Sequence, residues 1–303
     1  MASVKSLSVI KKKLKNILKK RVFYDIPFSE LTSYRVGGSV AVVMYPRSCD
    51  ELSRSMPMLR DSGIPRIVIG NGTNILASDD GYKGVVICLK KMSSITHSNT
   101  IIECEAGLDL DELIVYSIRH NLAGLQHLSG IPGTVGGALW MNAGAYESEI
   151  SDTLVGIELM DYAGRVIYMP KKSIDFSYRK TTNIMNKIII KAWFKLIPAR
   201  KSDLMRTRKK IIGLRHKNQP WRAFSAGSVF QRPKGTYASL LIERAGLKGY
   251  RIGGAEVSRK HAGFIINTGT ATSRDIRALI KYVQNEIYRN YKVKLKLEQV
   301  LID

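Results

Sequence analysis

The stretch Gly130–Tyr146, reading GIPGTVGGALWMNAGAY, limits what this chain can fold into more than any other segment. Five of its residues are glycine and none is charged. Glycine loses the most backbone freedom on ordering, so the run reads as a poor helix or strand interior. Two readings fit it. In one, backbone N–H groups approach a bound group, phosphate being the usual one, with no Cβ in the way. In the other, it is a tight crossover buried in a core, where glycine only lets segments pack. A second glycine loop, Gly70-Asn71-Gly72-Thr73-Asn74-Ile75-Leu76, directly follows the short apolar run Arg66–Ile69, an arrangement suited to an anion nest. It is not the dinucleotide fingerprint, because position 75 is Ile, and Asp79-Asp80-Gly81 breaks the chain where a helix would have to follow. The absence of GxxxxGK[ST] removes P-loop nucleotide hydrolases.

The 303 residues hold two or three domains with real cores, and no apolar run reaches the roughly 18 residues of a membrane span. Residues 1–20 form a basic N-terminal helix or arm. Val4, Leu7, Ile10, Leu14, Ile17 and Leu18 recur at helical spacing between lysines, unlike the continuous core of a secretory signal. The three cysteines have no CxxC spacing and the five histidines no metal-ligand spacing, so no disulfide framework or metal site is expected and a reducing, cytoplasmic setting is. The net charge of +23 is spread along the chain without an RNP1 sequence, zinc finger or helix-turn-helix signature, so no nucleic-acid partner is expected.

Periodicity predicts a mixed α and β chain. Helices are expected over 48–62, 109–121, 199–217, 237–244 and 273–291, and strands over 39–45, 66–69, 85–89, 101–105, 154–161, 165–168, 187–194 and 263–267. Lys187–Phe194 is apolar enough to be central, and Val293–Val300 alternates as a closing strand. The basic segment 199–217 reads as a domain joint.

Taken in order, the motifs are Thr32 with Gly37-Gly38, Gly70–Asn74, Gly130–Tyr146, Phe176-Ser177-Tyr178-Arg179, Gln219-Pro220, Gly227-Ser228-Val229-Phe230, Gly253-Gly254-Ala255 with Val257-Ser258, and Glu298. Their order and spacing over roughly residues 25–300 resemble the UDP-N-acetylenolpyruvoylglucosamine reductase (MurB) family. The compact region between Tyr168 and Phe176 resembles its shorter, second type. The resemblance implies an α+β chain: a two-subdomain FAD-binding fold (PCMH/vanillyl-alcohol-oxidase-like) over 21–82 and 83–198, and a C-terminal α+β substrate-binding domain over 199–303. It implies a cytoplasmic, monomeric flavoprotein of peptidoglycan precursor synthesis, tied to cell shape and division. NADPH would be its reductant and UDP-N-acetylglucosamine enolpyruvate its substrate, with hydride passing from flavin N5 to C3 and a proton to C2.

The same resemblance assigns residues. Gly37, Gly38, Gly70, Asn71, Gly72, Thr73, Asn74, Leu76, Gly130, Gly133, Thr134, Gly136, Gly137, Asn142, Ala143 and Gly144 would hold FAD. The loops 70–74 and 130–137 would give N–H groups to its diphosphate. Tyr178, Arg215, Gln219 and Arg232 would meet substrate. Arg179, Ser228 and Glu298 would be catalytic: a fork for the carboxylate where charge develops, the proton donor, and a second polarising group. The chain departs from the family at Gln231-Arg232, where Lys-Asn is usual, at Lys296, where the first of two glutamates is usual, and at Glu147, often glycine. A flavin oxidoreductase of the same fold acting on another substrate is the alternative. A basic binding protein is the reading from a different class.

Overall fold

The computed structural model describes residues 4–303, and the segment 1–3 of the expected arm lies outside them. Backbone packing groups the chain into two units. The first comprises the described residues up to Tyr24, with Ala41–Asn71 and Lys83–Ile212; the second comprises Asp25–Val40, Gly72–Tyr82 and Gly213–Asp303. The segment 21–82 thus contributes to both.

In the first unit, helix α1 (Val4–Leu18) turns Ile10, Leu14 and Leu18 into the core and leaves Lys12, Lys13 and Lys15 exposed. Helix α2 (Cys49–Asp61) starts where Ser48 caps it, the hydroxyl accepting from the Glu51 N–H at 3.2 Å. One sheet is ordered Val22–Phe23, Ser39–Met44, Tyr82–Cys88, Arg66–Ile69, its last two strands parallel with Ile67 opposite Val86. A second, antiparallel sheet is ordered Val166–Pro170, Leu154–Met160, Ile188–Lys195, Ile101–Glu105, Ile95–Ser98. Ile188–Lys195 is its middle strand, as its apolar run predicts. Helix α3 (Leu110–Arg119) is capped by Asp109 and buries Leu113, Ile114, Ser117 and Ile118.

The glycine-rich stretch departs from expectation. Val135–Trp140 is a helix, α4, and Gly144–Ala145 a short strand. Thr134 caps α4, its hydroxyl accepting from the Gly137 N–H at 3.3 Å. The tertiary fit outweighs the glycine propensity: a Cβ on Gly136 would stand 2.9 Å from the Ala106 Cβ, so only a bare helix face seats there. Helix α5 (Lys201–Asn218) runs from the first unit into the second, the boundary falling after Ile212.

In the second unit, α6 (Ala238–Arg244) and α7 (Ser273–Tyr291) pack with a three-stranded sheet of Arg251–Ile252, Ala255–Val257 and Ile265–Asn267. α7 has the predicted bounds because Thr272 and Asp275 form a capping box and Ile276, Leu279, Ile280, Val283 and Ile287 line its buried face. The closing strand is displaced from its predicted place. Only Val300–Ile302 is a strand, paired in parallel with Ile75–Ala77, and residues 293–299 carry just one isolated bridge, Leu297 with Phe230. Alternation survives in burial, with Leu295 in the core, and the segment's backbone bonds run to residues 229–231, the Gln231 N–H donating to the Lys296 carbonyl at 2.9 Å.

Candidate active site

Within the first unit two groups of candidate residues assemble. In one, Gly70 lies against the α4 cap: a Cβ there would be 2.1 Å from Thr134 Oγ1. Asn71 Nδ2 donates to Asp109 Oδ2 at 2.9 Å, and Asp109 bridges to Thr134. The Gly133 carbonyl accepts from the Leu110 N–H at 2.9 Å, and the Gly130 N–H faces Asp111 Oδ1 at 3.4 Å. These bonds bring loop 130–134, the end of strand Arg66–Ile69 and the start of α3 together. They also show where α4 spends its first amides. Val135, Gly136 and Gly137 donate to Leu108 O, Ala106 O and Thr134 Oγ1, so the helix's own N–H groups are held inside the protein.

The second group is centred on Asn142. This wholly buried residue has φ 41° and donates from Nδ2 to Glu149 Oε2 at 2.6 Å and to the Ser177 carbonyl at 3.2 Å. Two acceptors fix the amide's orientation, and its Oδ1 is left buried without a protein donor. Ser177 ends the first strand of a hairpin, Phe176–Ser177 with Lys180–Thr181, whose turn is Tyr178-Arg179. Arg179 sits at φ 55°, a left-handed conformation that favours glycine or asparagine, and its Nη2 donates to the Gly144 carbonyl at 2.8 Å. A bulky side chain held in that region stores strain, which directs attention to what it displays. Tyr178 is exposed and its ring lies 4.9 Å from the Arg179 guanidinium carbon. Ala143 and Gly144 follow Asn142, the Ala143 N–H bonding back to Ala138.

In the second unit, the Glu298 N–H donates to the Val229 carbonyl at 2.9 Å, so Ser228 and Glu298 are on adjoining segments. Both are half-buried. Asn74 joins them, Nδ2 donating to the Glu298 carbonyl at 3.1 Å and its own carbonyl accepting from Val300 at 2.9 Å. Gly37, Gly38 and Gly72 are sites of close backbone approach; a Cβ on Gly72 would be 2.1 Å from the Leu31 carbonyl oxygen and one on Gly38 2.2 Å from that of Asp79. Thr73 is half-buried in the same loop, whereas Leu76 is a fully buried core residue. Arg215 is buried near the end of α5, Gln219 follows it by one turn with its N–H on the Arg215 carbonyl, and Arg232 stacks 4.0 Å over the Tyr237 ring.

Sequence reasoning missed the carboxylates Asp109 and Glu149 as partners of Asn71 and Asn142, and it missed Gln299 altogether. Asp109 carried a signal as the first residue of a predicted helix; Glu149 and Gln299 carried none. Asp111 is pushed up by burial, yet the Arg208 fork, at 2.5 and 2.6 Å, holds it below the usual aspartate range. Among the described residues no group of three or more metal-ligating side chains assembles, and no helix is long and apolar enough to cross a membrane.

Comparisons with known proteins agree with this layout. Residues 219–302 match the model for the C-terminal domain of UDP-N-acetylenolpyruvoylglucosamine reductase, and residues 40–169 match the model for an FAD binding domain. The chain is 41% identical over 289 residues to UDP-N-acetylenolpyruvoylglucosamine reductase of Caldanaerobacter subterraneus subsp. tengcongensis, covering 94% of this chain and 95% of that one. The crystal structure of the reductase from Thermus caldophilus superposes with a TM-score of 0.81 at 31% identity, over 92% of this chain and 98% of that chain. Phl p 4.0202, a glucose dehydrogenase, shares the fold alone, with a TM-score of 0.51 at 15% identity over 65% of this chain and 44% of its own.

Proposed function

This chain belongs to the UDP-N-acetylenolpyruvoylglucosamine reductase family, an FAD-binding oxidoreductase family of peptidoglycan precursor synthesis, and from that premise we propose that it reduces UDP-N-acetylglucosamine enolpyruvate with NADPH. Residues 21–82 and 83–198 are the FAD-binding subdomains in this reading, and 199–303 the substrate-binding domain. The residues present suit FAD. The orphaned Asn142 Oδ1 calls for an N–H donor such as the flavin ring carries. Because Val135–Gly137 spend their amides internally, the diphosphate is met by the loop residues Gly70–Asn74 and Gly133-Thr134.

When bound, FAD supplies the hydride, taken from NADPH, that adds to C3 of the enolpyruvyl double bond. The chain's own groups manage the charge that then builds at C2. Arg179 offers a planar fork to the carboxylate and cannot lose its proton. Glu298, as the protonated acid or through a bridging water, polarises the same group. The Ser228 hydroxyl gives its proton to C2, a strongly basic carbon for which even a weak acid suffices at hydrogen-bond reach. Tyr178, Arg215, Gln219 and Arg232 orient the substrate, Arg232 toward a phosphate.

The observation that carries the reading is the Glu298–Val229 backbone bond, which sets the proposed acid and the proposed polarising carboxyl on neighbouring segments. Purified protein should show the flavin absorption bands, and its NADPH oxidation should require UDP-N-acetylglucosamine enolpyruvate. A colourless protein that stays so with added FAD would end the reading. Flavin reduction by NADPH without response to that substrate would favour the alternative, another substrate on the same fold.

A further inference from the structure

Ser228 follows Gly227, which sits at φ 72° with nothing within 4 Å of where a Cβ would be. Space does not require the glycine here; the left-handed backbone does. A glycine with open surroundings is a swivel, and a hydroxyl mounted on it needs something else to aim it. After the serine, the Val229 N–H is held by the Gly263 carbonyl at 2.9 Å. Before it, the carbonyls of Ala226 and Gly227 both face one buried side chain, Gln299, whose Nε2 is 3.0 and 3.5 Å away. The same amide meets the hydroxyl of fully buried Tyr34, 3.1 Å from Nε2 and 3.3 Å from Oε1. Tyr34 is itself anchored, its carbonyl accepting from Asn267 Nδ2 at 3.0 Å, while Asn267 bonds by its own N–H to the Phe224 carbonyl at 2.8 Å.

We propose that Gln299, braced by Tyr34, is the positioning residue that fixes the two peptide units ahead of Ser228 and so aims the hydroxyl that delivers the proton. The inference rests on the proton-donor reading of Ser228 given above. Neither side chain reaches the reaction itself. Burial raises the Tyr34 phenol well above its ordinary range, so it stays a neutral brace across the working pH range. The amide suits the task because it can donate to a carbonyl while still engaging the phenol; a leucine of similar volume could do neither.

The test is a double-mutant cycle on the half-reactions. In Gln299→Leu, reduction of the bound flavin by NADPH should be unchanged, while its reoxidation by UDP-N-acetylglucosamine enolpyruvate should slow by about 10- to 100-fold, the scale of a misplaced reacting group. In the Ser228→Ala background the same change should have no further effect, because the group it aims is gone. Amide exchange over 227–229 should quicken in Gln299→Leu. Undiminished reoxidation in Gln299→Leu, or its full effect persisting without Ser228, would overturn the positioning role. If Ser228→Ala itself left reoxidation unaltered, the proton-donor reading would fall and the positioning role with it. Tyr34→Phe, a milder change should Gln299→Leu not fold, is expected to slow reoxidation several-fold with NADPH reduction intact; equal loss in both halves, or none, would count against the brace.

Discussion

The turn that carries Arg179 and the turn that carries Ser228 each contain one residue in the left-handed region, but not at the same point. In the first it is the arginine itself, at φ 55°, in a two-residue hairpin. In the second it is the glycine before the serine, at φ 72°, and the serine's surroundings are tied down through buried Gln299. The arginine is displayed by strain and held through its own side chain, on Gly144. The serine is displayed without strain and held through its backbone. Each solution suits its group. A guanidinium is long enough to be held through its own atoms, whereas a hydroxyl on a short stem points wherever its peptide points.

The comparison can be broken most sharply at the serine. Ser228→Ala should lower the rate of flavin reoxidation by substrate about 100-fold or more while reduction by NADPH is spared, as rapid-mixing absorbance would show; loss in both halves would remove the proton-donor role. Next is Arg179→Gly, which should cost on the order of 100-fold in turnover yet leave the unfolding midpoint unchanged or raised, because glycine relieves about 1–2 kcal/mol of left-handed strain. Gln299→Leu should have the opposite stability sign, losing about 1–3 kcal/mol from the unpaired Tyr34 hydroxyl and Ala226 carbonyl, measured by denaturant unfolding. If both variants lost stability equally, the distinction between strained and braced display would fail.

Two smaller effects test the first unit. Gly70→Ala drives a methyl group into Thr134 and should cost about 1–3 kcal/mol together with FAD retention, which flavin absorbance after gel filtration reports. The Asp111 carboxyl, held low by Arg208, adds stability above the ordinary aspartate value of about 3.9. That contribution fades as pH falls through the lower folded value, so Asp111→Asn should shrink the gap between unfolding midpoints at neutral and acid pH.

Local chemistry made much of the fold legible. Helix α7 could be bounded because Thr272 and Asp275 close its first turn and its apolar residues keep one face. The middle strand of the antiparallel sheet was visible in the uninterrupted apolar run of Ile188–Ile190 and its continuation. The helix inside the glycine-rich stretch was not legible, since what permits it is the bare methyl of Ala106 thirty residues away. Of the candidate site, Arg179, Ser228 and Glu298 were proposed through motif order. Their supports were not. Nothing local distinguishes Gln299 from any other polar residue in an alternating stretch, and its partner Tyr34 lies 265 positions earlier.

The parallel pairing of Val300–Ile302 with Ile75–Ala77 has a consequence for how the protein is made. A ribosome releases the N-terminal segments first. Residues 25–40 and 72–82 therefore emerge long before α7 and the final strand, and Tyr34, Val36 and Leu76 wait with their apolar surfaces uncovered. The second unit is thus a circuit closed by a segment translated long after the strand it pairs with. A nascent chain that has not yet released Val300–Ile302 carries an open strand edge at Ile75–Ala77, exposed to wrong pairing until the parallel strand arrives.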